Sequence, residues 1–332
     1  MAALDPAEVL ARNARAAARM ATQVGPERAR KVLERAEKDL KSRLAQAVAG
    51  PGEGSFTHAQ LQSTLAQVRA TLRTVAQPGL RAAVVDTGTE AAEAAGGGAV
   101  EYLQAADGAF RGVGAQPLAL DEAAMLDASV DGAQGSILRR LATGPGPEKV
   151  GVLDRYGMNV IGNFEQELQA GLLSRLSLDG VRDRLIAKSP FLQGAPASWA
   201  ERIARTETMG AYNRANYEAN KEADEQLGDV VKILVATFDD RTGSDSIACH
   251  GQIRRPEEPF ETWFGAMQYP PNRPNDREIV VTHRIAWVIP PAFKWRDRGE
   301  VVARWRTEGR KGKPPGPLLM TTVDLSEFGS EG

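Results

Sequence analysis

A chain of 332 residues is long enough for two domains, and its 42% hydrophobic and 25% charged content excludes a chain that is disordered overall. The formal net charge of -2 excludes a global field that would attract nucleic acid, so any DNA contact has to be local. The single cysteine, Cys249, excludes an internal disulfide framework and fits a reducing compartment.

Two further features of the sequence concern location. No run approaches the ~18 apolar residues of a membrane span. Asp5 and Glu8, near the first residue, do not fit the basic and apolar regions of a signal peptide. We therefore expect that the protein assembles in the cytoplasm and that it has no membrane partner.

The first 146 residues have the composition of helices. Ala, Arg, Glu and Leu dominate residues 5–48, where Asp5-Pro6 and Gly25-Pro26 mark two helix starts. Thr57 and Gln60 have the spacing of a capping box that starts a third helix. Pro78-Gly79 is predicted to end that helix.

Two more helices are expected before the sharp break at residues 144–147, one ending at Gly96-Gly97-Gly98 and one over residues 121–141. Alanine dominates their apolar positions, so each helix buries little area. The region is either a self-contained bundle or an arm that docks on a partner.

Residues 147–290 change from helical to strand periodicity. Ser198 and Glu201 have capping-box spacing at the start of a helix that runs past Asn220 towards Gly228. Residues 230–238 form the first convincing strand, and residues 251–254, 279–281 and 286–289 are further candidates. We predict a mostly α, α+β fold: long amphipathic N-terminal helices, then a small module of helices packed on a short antiparallel sheet.

Polar residues on the helix after Ser198 are the least expected feature of this module. An ordinary surface helix also carries such residues. The alternative is a structural network in which Arg205 and Glu207 hold the following turn by charge-assisted hydrogen bonds. The predicted network comprises Arg205, Glu207, Asn213, Asp239, Asp240, Arg241 and Thr242.

The sequence around this helix resembles a known family. The run RIARTET at residues 202–208, then Ala211-Tyr212-Asn213, then VATFDDRT at residues 235–242, resembles the phage Mu F-like minor head proteins, also called the SPP1-type head morphogenesis family. The resemblance covers roughly residues 165–290. It implies a minor head protein in low copy number, bound to the portal inside the phage head near the portal vertex, that assists procapsid assembly and DNA packaging or ejection.

The resemblance also implies partners and a division of the chain. The expected partners are the portal protein, a major capsid or scaffolding protein and, in addition, packaged double-stranded DNA. We assign residues 1–146 to portal or capsid docking, residues 147–290 to the head morphogenesis module, and residues 291–332 to a basic, proline-rich tail. A scaffold-like assembly factor that is absent from mature virions is a further interpretation.

Family members resemble one another in a Cys after the D-x-R-T turn and a His-Pro-x-Cys-x-Cys cluster, a set that looks like a structural zinc site. In this chain Arg273, Asp276 and Glu278 occupy the later positions. We therefore predict no metal and no cofactor, with ion pairs among Asp240, Arg273, Asp276 and Arg277 in place of the clip.

The alternative function is a metal-dependent or nucleophilic enzyme on the same module. Its candidates are Cys249, His250 and His283, which would hold a metal or form a thiolate–imidazole pair. Neighbours on an extended strand point to opposite faces, however, so the adjacency of Cys249 and His250 is not by itself a catalytic pair. We predict that the protein is not an enzyme.

The tail after Pro290-Pro291 combines basic and aromatic residues, a composition that binds phosphates and stacks on bases. The predicted DNA contacts are Lys294, Arg296, Arg298, Arg304, Arg306, Arg310 and Lys311. The alternative is a tail that packs Trp295 and Trp305 on a neighbouring subunit.

Overall fold

A computed structural model describes residues 5–48, 57–111, 118–143, 151–193, 195–238, 242–263, 265–271, 273, 276–294 and 298–308. Within these residues the helices are α1 (Pro6–Arg19), α2 (Gly25–Val48), α3 (His58–Thr71), α4 (Gln77–Arg111), α5 (Glu122–Thr143), α6 (Val152–Leu173), α7 (Leu178–Lys188), α8 (Ala195–Leu227), α9 (Ser244–Cys249) and α10 (Arg298–Thr307). π-Helical turns at Met20–Val24 and Leu72–Ala76 precede α2 and α4.

The strands form two small antiparallel sheets. The first contains β1 (Val230–Val235), β2 (Ile253–Arg254) and β5 (Ile279–Arg284) in the order β2-β1-β5. The second is a pair of β3 (Phe260–Thr262) and β4 (Gly265–Met267). In the first sheet Lys232 on the central strand lies opposite Arg254 and Thr282. The predicted mostly α, α+β fold is confirmed.

The chain divides into two compact units, each built from separate parts of the sequence. The sheet unit comprises Met1–Met20, Gly88–Ser136 and Thr206–Gly332, and the helical unit comprises Ala21–Thr87 and Ile137–Arg205. Helix α1 therefore belongs with the sheets, and Val9 is buried in the same core as Val231 and Ile233. The three predicted domain ranges stay predictions.

Helix starts and stops follow the local signals of the sequence. The Asp5 side chain accepts a hydrogen bond from Ala7 N–H at 2.9 Å, which caps α1. Thr57 and Gln60 form the predicted capping box at the start of α3. Gly228 follows α8 with φ of 76°, a left-handed conformation that favours glycine.

Two predicted helix ends are wrong. Pro78 lies in the first turn of α4, directly after the π-helical turn Leu72–Ala76, and Gly96-Gly97-Gly98 lies inside the same helix. A Cβ at Gly96 would lie 2.8 Å from Ser129 Oγ, and one at Gly98 would lie 2.5 Å from Asn13 Nδ2. These glycines let neighbouring helices approach closely, so packing offsets their low helix propensity.

Three other local predictions are corrected. Helix α8 begins at Ala195, so Ser198 lies within it rather than at its start. Residues 286–289 do not form a strand, because Trp287 N–H bonds to Arg284 O at 3.1 Å and closes a turn after β5. Cys249 ends helix α9 rather than lying on an extended strand.

The sheet unit packs helices against the three-stranded sheet. Its core contains Tyr102 and Leu103 of α4, Ala219 and Ala223 of α8, Met125 of α5, and Val231, Ile233, Ile253 and Val281 of the strands. A second buried group, Leu234, Cys249, Phe260 and Val280, lies beside it. None of the described helices is long and apolar enough to cross a membrane.

Two asparagines attach α8 to this sheet. Asn213 Nδ2–H donates to Glu278 O at 2.8 Å, and Asn213 Oδ1 accepts from Val280 N–H at 2.9 Å. Seven residues later on the helix, Asn220 Nδ2–H donates to Val231 O at 3.0 Å. Both side chains are fully buried, so they depend on partners within the protein for their hydrogen bonds. The backbone in and next to the sheet provides these partners.

We expect Asn213→Ala to lower the free energy of unfolding by about 2–4 kcal/mol, because it leaves the carbonyl of Glu278 and the N–H of Val280 without this partner. Urea denaturation followed by circular dichroism measures the change. Asn163→Ala on the exposed face of α6 is the matched control and should leave the midpoint almost unchanged. Equal effects of the two substitutions would contradict the assigned role of Asn213.

Candidate functional site: a buried charge cluster

A group of polar side chains in the sheet unit joins α9 to the segment before β5. Arg273 Nε–H donates to Asp276 Oδ1 at 2.6 Å, and Arg273 Nη2–H donates to Ser246 Oγ at 2.9 Å. Arg273 Nη1 also pairs with Asp245. We call Asp245, Ser246, Arg273, Asp276 and Glu278 the charge cluster. Its three carboxylates are each at most 6% exposed.

Glu278 differs from the other two carboxylates in its surroundings. Its Oε2 atom is buried without a hydrogen-bond partner. Burial raises the pKa of Glu278 and the neighbouring Asp276 raises it further, while a hydrogen bond with Ser246 opposes the shift. Glu278 therefore holds its proton more strongly than an exposed carboxyl does.

The space beside the cluster is small. A cavity lined by Cys249, Trp263, Met267 and cluster side chains has a volume of about 10 Å³. This volume holds at most about one water molecule. Within the described part of the sheet unit, the cluster therefore offers hydrogen bonds and ion pairs but no room for an organic substrate.

The cluster lies where the resemblance implies a metal clip. Arg273, Asp276 and Glu278 occupy the implied His, Cys and Cys positions. The fold brings Arg273 and Glu278 to Ser246 of α9, and Asp276 pairs with Arg273. The expected pair of Arg273 with Asp276 is present. Asp240 lies outside the described residues, and the carbonyl of Arg277 accepts a hydrogen bond from Thr237 Oγ1 at 3.1 Å.

Asp245 and Ser246 were not among the predicted site residues. They lie at the second and third positions of a six-residue helix, and their only local signal is the preceding Gly243. The cap of this helix comes from a distant residue: Ser244 N–H and Ser244 Oγ–H donate to the carboxylate of Glu308 at 2.8 and 2.9 Å. A carboxylate at a helix N-terminus also interacts favourably with the helix dipole.

The candidates for a metal or a nucleophile have other neighbours. Burial raises the pKa of the Cys249 thiol to about 12, which favours a thiol over a thiolate at neutral pH. His250 Nδ1 accepts a hydrogen bond from Ala236 N–H at 3.0 Å. Among the described residues, no three His, Cys, Asp or Glu side chains are placed to hold a metal ion.

His283 belongs to an aromatic group with Tyr102 and Trp287. Its Nδ1 lies 2.9 Å from Tyr102 Oη, and its ring packs edge to face on Trp287. Burial lowers the pKa of His283 to about 4, so the ring is neutral at physiological pH. In the tautomer that carries its proton on Nε2, which faces Trp287 O at 3.4 Å, Nδ1 of His283 accepts a hydrogen bond from the Tyr102 hydroxyl.

Three residues of the predicted polar network have contacts or burial that the structure describes. Asn213 binds β5, as described above, and Glu207 is buried. Thr242 is buried, and its hydroxyl donates to Thr237 O. Asp239, Asp240 and Arg241 lie outside the described residues, so the proposed bracing of that turn by Arg205 and Glu207 stays a prediction.

The predicted DNA-contact residues are divided between two environments. Arg304 is half-buried, and its Nε–H donates to Thr242 O at 2.7 Å, while Trp305 packs on Trp263. Lys294 and Arg306 are exposed. Arg296, Arg310, Lys311 and the side chain of Arg298 lie outside the described residues.

Lys232 is a buried cation that the sequence pattern did not reveal. Its Nζ donates to Gln268 O and Oε1 at 3.1 and 2.7 Å and lies 4.9 Å from the ring centres of Tyr217 and Phe260. Burial lowers the pKa of Lys232 to about 7, against the opposing effect of Glu257. The cation anchors the segment after β4 to the central strand.

No protein-family model, curated protein or solved structure matches this chain.

Glu278→Gln should remove a pH-dependent loss of stability. The folded pKa of Glu278 lies above its ordinary value of 4.5, so ionisation favours the unfolded chain. The stabilising contribution of protonated Glu278 is complete below its ordinary pKa of 4.5. It is lost as the pH rises through the pKa of the folded state. Urea midpoints measured across this range should fall less in the variant than in the wild-type protein. Exposed Glu93→Gln is the control, and parallel curves for both variants would contradict the assignment.

Cys249 should react with a thiol reagent only after unfolding. The sequence contains no other cysteine, so the reaction with 5,5′-dithiobis(2-nitrobenzoate) reports this thiol alone. We expect the native rate at pH 8 to be at least about 100-fold below the rate in denaturant, because the thiol is buried and its pKa is raised. Comparable rates would revive the nucleophile hypothesis.

Proposed function

We propose that this chain is a phage minor head protein that binds the portal inside the head in low copy number. There it would assist procapsid assembly and DNA packaging or ejection, with a major capsid or scaffolding protein as a second partner. The proposal originates in the RIARTET helix and the VATFDDRT segment of the sequence. The hydrogen bonds and ion pairs that nearby residues form within the module support it.

The observation that carries the proposal is that the module's polar residues form hydrogen bonds and ion pairs with one another and with the backbone. Asn213 binds the backbone of β5, and Arg273 joins Asp245 and Ser246 of α9 to Asp276. The cavity beside them has about the volume of one water molecule. A module fastened in this way suits a rigid part of an assembly better than a substrate site.

DNA contact is proposed only for the exposed basic residues near the C-terminal helix. Lys294 and Arg306 are exposed and available to phosphates. Arg304 instead holds the Thr242 carbonyl, so its substitution would disturb the fold as well as any DNA contact. Charge changes at Arg306 are therefore the cleaner probe of this part of the proposal.

Co-expression of the full chain with the portal protein of the same phage genome tests the proposed function. We expect the two proteins to co-purify and to migrate together on size exclusion, since the proposal requires a direct complex. The major tail protein of the same genome is the negative control. Quantitative mass spectrometry of purified virions should then find a few copies of the chain per portal.

Failure to co-purify with the portal, together with absence from both procapsids and virions, would contradict the proposal. Presence in procapsids and absence from virions would instead support the scaffold-like assembly factor.

A further inference from the structure

The helical unit contains a cavity of about 310 Å³ between the beginning of α4, the end of α5 and the first turn of α6. Its polar lining comes from Arg73, Gln77, Arg81 and Asp154. The volume is at the lower end of the range of about 300–1,000 Å³ that is usual for small-molecule sites. It is far larger than the cavity beside the charge cluster.

The charges around this cavity favour an anion. Arg73 and Arg81 are both exposed, and in the described part of the chain neither forms an ion pair or a side-chain hydrogen bond. The carboxylate of Asp154 accepts a hydrogen bond from Gln77 Nε2–H at 3.3 Å. Two guanidinium groups and one carboxylate leave one net positive charge, with the donors of both arginines unused.

The π-helical turn Leu72–Ala76 brings the two arginines to one cavity. In an uninterrupted α-helix, residues eight apart are rotated by about 80° around the axis. Arg73 lies inside the π-helical turn, whose wider winding takes up part of this rotation before Arg81 in α4. π-Helical turns are rare in proteins, and those that do occur often lie at functional sites.

The first turn of α6 adds to the positive potential. Leu153 and Asp154 line the cavity from this turn, and Gly151 before it provides no side-chain cap for the helix N–H groups. Free N–H groups and the helix dipole favour a negative charge at such an end.

We infer that this cavity binds a phosphate-bearing anion, which Arg73 and Arg81 hold through charge-assisted, two-pronged hydrogen bonds. Planar guanidinium groups suit phosphate oxygens in both geometry and charge. The source of the phosphate is either a small phosphorylated molecule or the backbone of a nucleic acid. The inference concerns the helical unit and does not depend on the proposed head function.

Titration calorimetry of the full chain with sodium pyrophosphate at low salt tests this site. We expect saturable binding with one site per chain. The double substitution Arg73→Gln and Arg81→Gln should weaken the affinity about tenfold or more, because it removes both charged donors. Arg69→Gln is the matched control: Arg69 is also exposed, lies one helical turn before Arg73 and does not line the cavity.

Circular dichroism and urea midpoints establish that the three proteins are equally folded, so a lost affinity reports the site. Absence of saturable binding to the wild-type chain would overturn the inference, as would equal affinities of the double variant and the wild type. A short DNA duplex that displaces pyrophosphate identifies a nucleic-acid backbone as the source. A duplex that does not displace bound pyrophosphate identifies a small phosphorylated molecule.

Discussion

The attachment of α8 to the sheet by the Asn213 side chain is the interaction on which much of the sheet unit depends. An amide side chain carries both a donor and an acceptor, so it satisfies the C=O of Glu278, just before β5, and the N–H of Val280 within β5 at once. β5 lies at one edge of the three-stranded sheet, where unpaired backbone groups are a liability. Asn213 thus takes the place of a further strand at this position.

The same attachment also holds the backbone of Glu278, a member of the charge cluster. Asn213 holds the carbonyl of Glu278, whose side chain meets Ser246 of α9. Arg273 and Asp276 complete the connection to that helix, and Glu308 of the C-terminal segment caps it. One chain of hydrogen bonds therefore runs from the longest helix of the module to residues far along the sequence.

The ion pairs of Arg273 stabilise this part of the module by a different physical interaction from that of a structural metal site. Burying Asp245 and Asp276 carries a large desolvation cost, which their attraction to the half-buried Arg273 offsets only with favourable geometry. Arginine provides that geometry, because its planar fork reaches Asp245, Ser246 and Asp276 together. The arrangement ties α9 to the segment before β5 through ion pairs and hydrogen bonds.

The sequence by itself determined the local parts of this protein. The caps at Asp5 and Thr57, the stop at Gly228 and the strand beginning at Val230 all follow from interactions within a few residues. The tertiary structure decided the rest.

Gly96 and Gly98 continue a helix because other helices press against them, and Ser244 begins one because Glu308, 64 residues away in sequence, supplies its cap. Lys232 is buried because aromatic rings and the Gln268 oxygens surround it. Local propensity measures free energies over a few residues, whereas these outcomes depend on partners that only the folded chain brings together.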